Sequence, residues 1–238
     1  MCEHFVARSS DPFRLDELWP FTEALERYGI TGFGWGAAWL RADGGLDGYR
    51  DVRAFRDDPG REALGATETT AALVHLRRPS RLSTLTLADT QPFLDPAGRF
   101  AFSHNGELRD HRELRARYRG EGRIHGRADT EVGQRWLEDA WEATLPATEL
   151  LCRLHERFGG VANLALLEPD GAAHAYAGNP ENPVFSFRLG RVGIVSTGIY
   201  SLDRSLFRLV APGATHRRMV RVGRAVGLER DGEVAGAA

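Results

Sequence analysis

The chain is 238 residues long, 42% hydrophobic and close to neutral, with 31 basic residues against 33 acidic ones and a formal net charge of −2. That balance excludes a global electrostatic attraction to nucleic acid or an anionic membrane, while the apolar share suffices for one sizeable core. Every one of the 31 basic residues is arginine, which removes Schiff-base chemistry and a P-loop lysine from consideration.

Read in chain order, Cys2 to Ala7 forms a short strand that the turn formers Ser9-Ser10-Asp11-Pro12 are expected to stop. Leu18 to Tyr28 has helical spacing, and Gly32-Phe33-Gly34-Trp35-Gly36 leads into a buried strand, Ala37 to Leu40, closed by the Gly44-Gly45 turn. This glycine run precedes a strand and lacks the spacing of a dinucleotide fingerprint. Ala71 to Leu76 and Arg99 to Ser103 are further strands, separated by a loop that carries Pro79, Pro92 and Pro96. Beyond Asn105-Gly106 come two amphipathic helices, one with Leu114 and Tyr118 four apart, the other with Val132, Trp136 and Ala140 on one face. A third helix, Ala147 to Phe158, ends at Gly159-Gly160 and takes Cys152 into its packing. The pattern then returns to strands at Val161 to Leu167, His174 to Ala177, Val184 to Phe187 and Val192 to Ser196, before a loop-like final segment. Strands, helices and strands again predict an α+β arrangement of sheets covered by helices, in a single domain over residues 1–238 whose last roughly 30 residues are peripheral.

Two cysteines give no disulfide framework, and the chain shows neither a signal peptide nor an apolar run long enough to span a bilayer. A cytoplasmic location is the expectation. The eight histidines form no cluster with metal-ligand spacing, so no metal and no cofactor are expected.

Cys2 directly follows the initiator methionine. Were Met1 removed, this residue would present a thiol nucleophile and, in its own α-amine with a pKa of about 7.7 to 8.0, a base able to take the thiol proton near neutrality. Taken alone, Cys2 reads rather as a small apolar residue that opens a strand.

Four segments give it company: His75-Leu76-Arg77-Arg78-Pro79-Ser80, Gln91-Pro92-Phe93, Ser103-His104-Asn105-Gly106-Glu107-Leu108 and Ala128-Asp129-Thr130-Glu131. In this order they resemble the glutamine-hydrolysing domain of class II glutamine amidotransferases, which are N-terminal nucleophile hydrolases, from Cys2 to about Ser196. Within that group the pattern is closest to small stand-alone proteins related to the γ-glutamyl hydrolase of bacterial ergothioneine biosynthesis. The resemblance implies a four-layer αββα sandwich. It also implies that Cys2 attacks a γ-glutamyl amide and forms a thioester, with the Asn105 side chain and the Gly106 N–H as oxyanion hole. Arg77 is matched to the position that binds the substrate carboxylate and Asp129 to the one that binds its ammonium, with Ser80 and His104 as further substrate-binding candidates.

Each residue also has a plainer reading. Asn105-Gly106 is a hairpin-turn dipeptide, Asp129 an N-cap, and Arg77 or Arg78 a solvated surface arginine. His75 or His104 could instead pair with Cys2 in a Cys-His hydrolase. The chain departs from its relatives at Phe33, where an aspartate is common, at Asp89, where asparagine is common, and at Ser196-Thr197-Gly198, which lacks a glutamate. These departures bear on substrate choice. The leading expectation is a free-standing amidohydrolase acting on a small γ-glutamyl substrate. An ammonia-supplying subunit with a separate synthetase partner and a non-catalytic glutamyl-binding module are the alternatives.

Overall fold

The computed structural model describes residues 2–29, 31–80, 82–142, 144–198 and 204–235. In chain order the elements are β1 (Glu3–Arg14), α1 (Trp19–Tyr28), β2 (Trp35–Leu40), β3 (Leu46–Asp51), α2 (Gly60–Gly65), β4 (Glu68–Leu76), β5 (Phe93–Leu94) and β6 (Ala101–Leu108). They continue with α3 (Arg112–Gly120), α4 (Asp129–Ala140), α5 (Ala147–Phe158), β7 (Gly160–Leu167), β8 (Ala173–Ala177), β9 (Phe185–Leu189) and β10 (Val192–Ser196). The chain ends in α6 (Arg204–Val210), β11 (Thr215–Met219), β12 (Arg224–Leu228) and β13 (Val234–Ala235).

Among the described residues the strands make two antiparallel sheets, ordered β11-β9-β10-β1-β4-β2-β3 and β13-β12-β8-β7-β6-β5. Strand alternation sorts their side chains into layers. Phe5, Ala7, Trp35, Ala37, Val74 and Leu76 face α1 and α6, joining Leu25, Phe207 and Val210 in one core. Val6, Ala38, Leu73, Ala101, Ala165, Ala175 and Val195 meet between the sheets, and the preponderance of alanine there lets the two backbones pack closely. Phe102, Leu108, Leu164 and Leu166 turn to α4 and α5 on the far side. The result is helix, sheet, sheet, helix, the sandwich the resemblance implied.

Helix α5 shows why that outer layer forms. Leu150, Leu151, Leu154 and Phe158 lie on one stripe and are essentially fully buried. At about 1.5–3 kcal/mol for each such side chain, burial outweighs the marginal intrinsic stability of a helix this short.

Three expectations are corrected. Strand β1 does not stop at Ser9 but shifts register between Arg8 and Phe13 and continues, because Phe13 returns to the core opposite Thr69. Asn105-Gly106 is no hairpin turn: it lies inside β6, with Asn105 opposite Asn163 and Gly106 opposite Ala162 of β7. The final segment is not loop-like, since β11 extends one sheet beside β9 and β12 extends the other beside β8, burying Val220, Val226 and Leu228. Among the described residues no helix is long and apolar enough to cross a membrane.

Candidate active site

Cys2 directly precedes β1, at the end of its sheet. The register Glu3↔Leu76 between β1 and β4, and Trp35↔Leu76 between β2 and β4, sets Cys2, Arg77 and Gly34 in one row. The Arg77 N–H donates to Gly34 O at 2.8 Å, while Gly32 and Phe33 N–H donate to Arg77 O at 3.2 and 3.1 Å, so the 32–34 turn is clasped to the row. Gly34, at φ +113°, adopts a backbone that glycine tolerates and other residues rarely do. The half-buried Cys2 sulfur accepts the Arg78 N–H at 3.3 Å and lies 3.5 Å from Arg78 O. Burial pushes the Cys2 thiol up, and it is opposed by the Arg78 N–H, the chain-terminal ammonium and the Arg77 guanidinium. These groups would favour a thiolate more strongly if the ammonium were on Cys2 itself.

Continuing the alternation of Val6 and His4 places Cys2 on the inter-sheet face of β1. Asn105, in alternation with Ala101, lies on the inter-sheet face of β6. Its side chain is fully buried, and Nδ2 donates to Thr197 Oγ1 at 3.4 Å. Thr197, just past β10, also accepts the His4 N–H at 3.0 Å and donates to Glu3 Oε2 at 2.7 Å. One hydroxyl thus ties Asn105 to the start of β1, the strand that follows Cys2. Gly106 follows at φ +136°, and a Cβ there would run into the Val161 carbonyl. Only glycine fits this position.

Arg77 is buried rather than surface-exposed, which sets aside its plainer reading. Its Nη1 donates to Thr86 O at 3.2 Å and Thr90 Oγ1 at 3.3 Å, and its Nη2 to Thr84 O. Of the five guanidinium N–H groups, one on Nε and one on Nη2 have no partner among the described residues. Asp89 anchors the same loop: its Oδ2 accepts the Thr86 hydroxyl at 3.0 Å, and its Oδ1 accepts the Arg127 and Ala128 N–H groups at 2.5 and 2.7 Å. The segment leading into Asp129 is therefore held to the loop around Arg77.

Asp129 is the first residue of α4, and the N-cap position belongs to Ala128, so the N-cap reading is corrected. The Asp129 carboxylate instead accepts the Leu108 N–H at 2.7 Å, joining α4 to the end of β6, and the Thr130 N–H at 3.0 Å. His104 is interior, with Nδ1 3.0 Å from Thr130 Oγ1 and 3.9 Å from Asp129 Oδ1, and its main-chain N–H donates to Gln91 Oε1 at 2.6 Å. Ser80 is exposed three residues beyond Arg77. Both hydrogen-bond contacts of the Cys2 sulfur are to the Arg78 main chain, and none of them supports the Cys-His alternative. Sequence reasoning missed Thr197 and Glu3 as site residues, and it noted Asp89 and Thr197 only as departures from a pattern.

Three histidines lie buried close by. Burial, with His104 as a like-charged neighbour, depresses His4 to about 3, and burial holds His75 and His104 below the ordinary range too. His4 Nδ1 sits 2.8 Å from Ser103 Oγ, bridging the sheets. The unfolded chain protonates His4 near the ordinary value of 6.5, whereas the folded one resists until about 3. Between those values the unfolded state binds more protons, so acid favours unfolding. Denaturant titrations should show stability falling by about 2 kcal/mol from pH 7 to pH 5 on account of His4 alone, with His75 and His104 adding to it. A flat profile over that range would contradict this account of the three rings.

Residues 79–173 match the family model described as a glutamine amidotransferase domain, a stretch that holds Asn105, Gly106 and Asp129 but not Cys2 or Arg77. No curated protein sequence matches the chain. Among solved structures, the chain resembles glutamine phosphoribosylpyrophosphate amidotransferase from B. subtilis, with a TM-score of 0.75 and 16% identity over 98% of this chain and 49% of that one. A second structure, titled the allosteric regulatory enzyme of purine biosynthesis, aligns with a TM-score of 0.76 and 15% identity, covering 99% of this chain and 48% of that one. The chain spans about half the length of these two neighbours. A glutamine aminotransferase class-II domain protein from Silicibacter pomeroyi aligns over 99% of both chains with a TM-score of 0.63 and 17% identity.

Proposed function

We propose that the chain is an amidohydrolase of the class II glutamine amidotransferase type that hydrolyses the γ-amide of a glutamyl substrate with Cys2 as nucleophile, a reading supported by the match of residues 79–173 to a glutamine amidotransferase domain. The observation that carries the reading is the convergence of the Cys2 end of β1 and the buried amide of Asn105 on one face, linked through Thr197. Removal of Met1 would expose the Cys2 amine. That amine takes the thiol proton, and the sulfur attacks the γ-carbonyl carbon. The oxygen becomes an anion facing Asn105 Nδ2 and the Gly106 N–H, in the manner of an oxyanion hole. The tetrahedral adduct then expels the amine, which leaves with the proton from the Cys2 ammonium, and a thioester remains. Water, deprotonated by the same amine, opens the thioester and releases glutamate. Arg77 grips the substrate's α-carboxylate through its remaining N–H groups, and Asp129 receives the α-ammonium; together they hold the γ-amide at the sulfur. His104 supports Asp129 from the side of Thr130, and Ser80 lies on the rim.

A second reading is a glutaminase subunit that delivers ammonia to a separate synthetase, favoured by the likeness to a phosphoribosylpyrophosphate amidotransferase. Glutamate release by N-terminally processed protein from glutamine and from a set of γ-glutamyl amides of larger amines separates the two. The free-standing hydrolase turns over at least one conjugate faster than glutamine. A preference for glutamine, and then only weakly, favours the subunit. Inertness toward the whole set would overturn both.

A further inference from the structure

Glu3 is fully buried one residue from Cys2, and a carboxylate withdrawn from water must be hydrogen-bonded to be tolerated. Its Oε2 accepts the Thr197 hydroxyl at 2.7 Å and Asn182 Nδ2 at 3.2 Å. Gly198 makes room for it, because a Cβ at that position would stand 2.8 Å from Oε2. The surroundings are braced in turn: Asn182 Oδ1 accepts the Gly198 N–H at 3.0 Å, and Asn163 Nδ2 donates to Asn182 O at 2.8 Å.

The Thr197 bond has a directional consequence. A hydroxyl owns one proton. Thr197 has a second acceptor within reach, His4 O at 3.3 Å, but Glu3 Oε2 at 2.7 Å is nearer and takes the hydroxyl proton. With its proton committed to Glu3, Thr197 Oγ1 can only accept, and Asn105 must turn its NH2 toward it. The Asn105 Oδ1 is left buried with no hydrogen-bond partner among the described residues, an arrangement with no stabilising reason of its own.

We propose that Glu3 is a positioning residue which, acting through the Thr197 hydroxyl, selects the Asn105 orientation that presents N–H rather than carbonyl oxygen to the developing anion. The proposal rests on the amide-hydrolysis reading above. The reversed amide would set a lone pair against negative charge, so the choice of orientation acts on the transition state and leaves ground-state binding alone.

The test compares Glu3→Gln, Thr197→Val, Thr197→Ser and the Glu3→Gln/Thr197→Val double variant on the best γ-glutamyl amide, with Cys2 alkylation by iodoacetamide measured in parallel. Glu3→Gln and Thr197→Val should each lower kcat by roughly 100-fold with KM nearly unchanged, as expected for a misaligned transition-state donor. Thr197→Ser, which keeps the hydroxyl, should stay within about threefold of the parent, and the double variant should be no worse than the poorer single one. Alkylation of Cys2 should proceed at the parent rate in the two Thr197 variants and no slower than that in Glu3→Gln and the double variant, because the Glu3 carboxylate pushes the Cys2 thiol up. Should Glu3→Gln fail to fold, the contrast between Thr197→Ser and Thr197→Val carries the test. Parent-like kcat in Glu3→Gln, equal losses in the two Thr197 variants, or additive losses in the double variant would overturn the role of Glu3. An inert parent protein with a normally alkylated Cys2 would instead count against the hydrolysis reading itself.

Discussion

Cys2→Ala should lower γ-glutamyl amide hydrolysis by a factor on the order of 10⁴ or more, the scale seen when a covalent nucleophile is removed. The sulfur stands outside β1 and is half-buried, so the change should cost less than about 1 kcal/mol of stability, and the loss is then chemical rather than structural. Retention of Met1 should be nearly as damaging. With Met1 attached, the Cys2 nitrogen is an amide that takes no proton, and burial keeps the thiol protonated. Steady-state rates for protein fractions with and without Met1, identified by intact mass, check both effects together. Comparable rates for the two fractions would show that the Cys2 amine is not the base.

Asn105→Ala should carry the next largest penalty, roughly a hundred- to a thousandfold in kcat with little change in KM, because the donor matters only once the carbonyl oxygen bears charge. Asn105→Asp is the more informative partner. It preserves the shape but exchanges a donor for a second buried carboxylate that would share the Thr197 hydroxyl with Glu3. Two like charges so placed cannot both ionise without cost, so this variant should lose stability as well as activity. Kinetics alongside thermal unfolding distinguish the two variants. An Asn105→Ala enzyme with wild-type kcat would remove Asn105 from the chemistry.

The layered fold was legible because its signals are strong and local. The stripe of Leu150, Leu151, Leu154 and Phe158 fixed α5 to the residue, and the apolar runs between Val161 and Ser196 fixed the later strands. Where reading failed, a long-range partner decided the outcome. Asn105-Gly106 has the local chemistry of a turn, yet β7 pairs with it residue by residue and holds it extended. Ser9 to Pro12 has the chemistry of a strand end, but burial of Phe13 carries β1 past it. The polar β11 carries little hydrophobic pattern and forms on the sheet edge that β9 offers, while the short β12 pairs beside β8 and buries only Val226 and Leu228.

The candidate site was legible as a set of motifs, not as a mechanism of support. Arg77 and Asp129 could be named from their neighbours in sequence, but nothing local reveals that Asp89 fastens the Arg77 loop to the segment before Asp129. Thr197 drew notice only as part of a triplet without its glutamate. In the fold, Glu3 brings a carboxylate to that triplet from the neighbouring strand.

The central claim is that a sulfur at the chain's processed N-terminus attacks the γ-carbonyl carbon of a glutamyl group. Incubation with a γ-diazoketone analogue of glutamine, followed by peptide mass spectrometry, tests it most directly. One equivalent should attach to a peptide that begins with Cys2, and excess glutamine or a γ-glutamyl amide should slow the labelling. Labelling of Cys152 instead, labelling of a peptide that still begins with Met1, or no labelling at all would contradict the account.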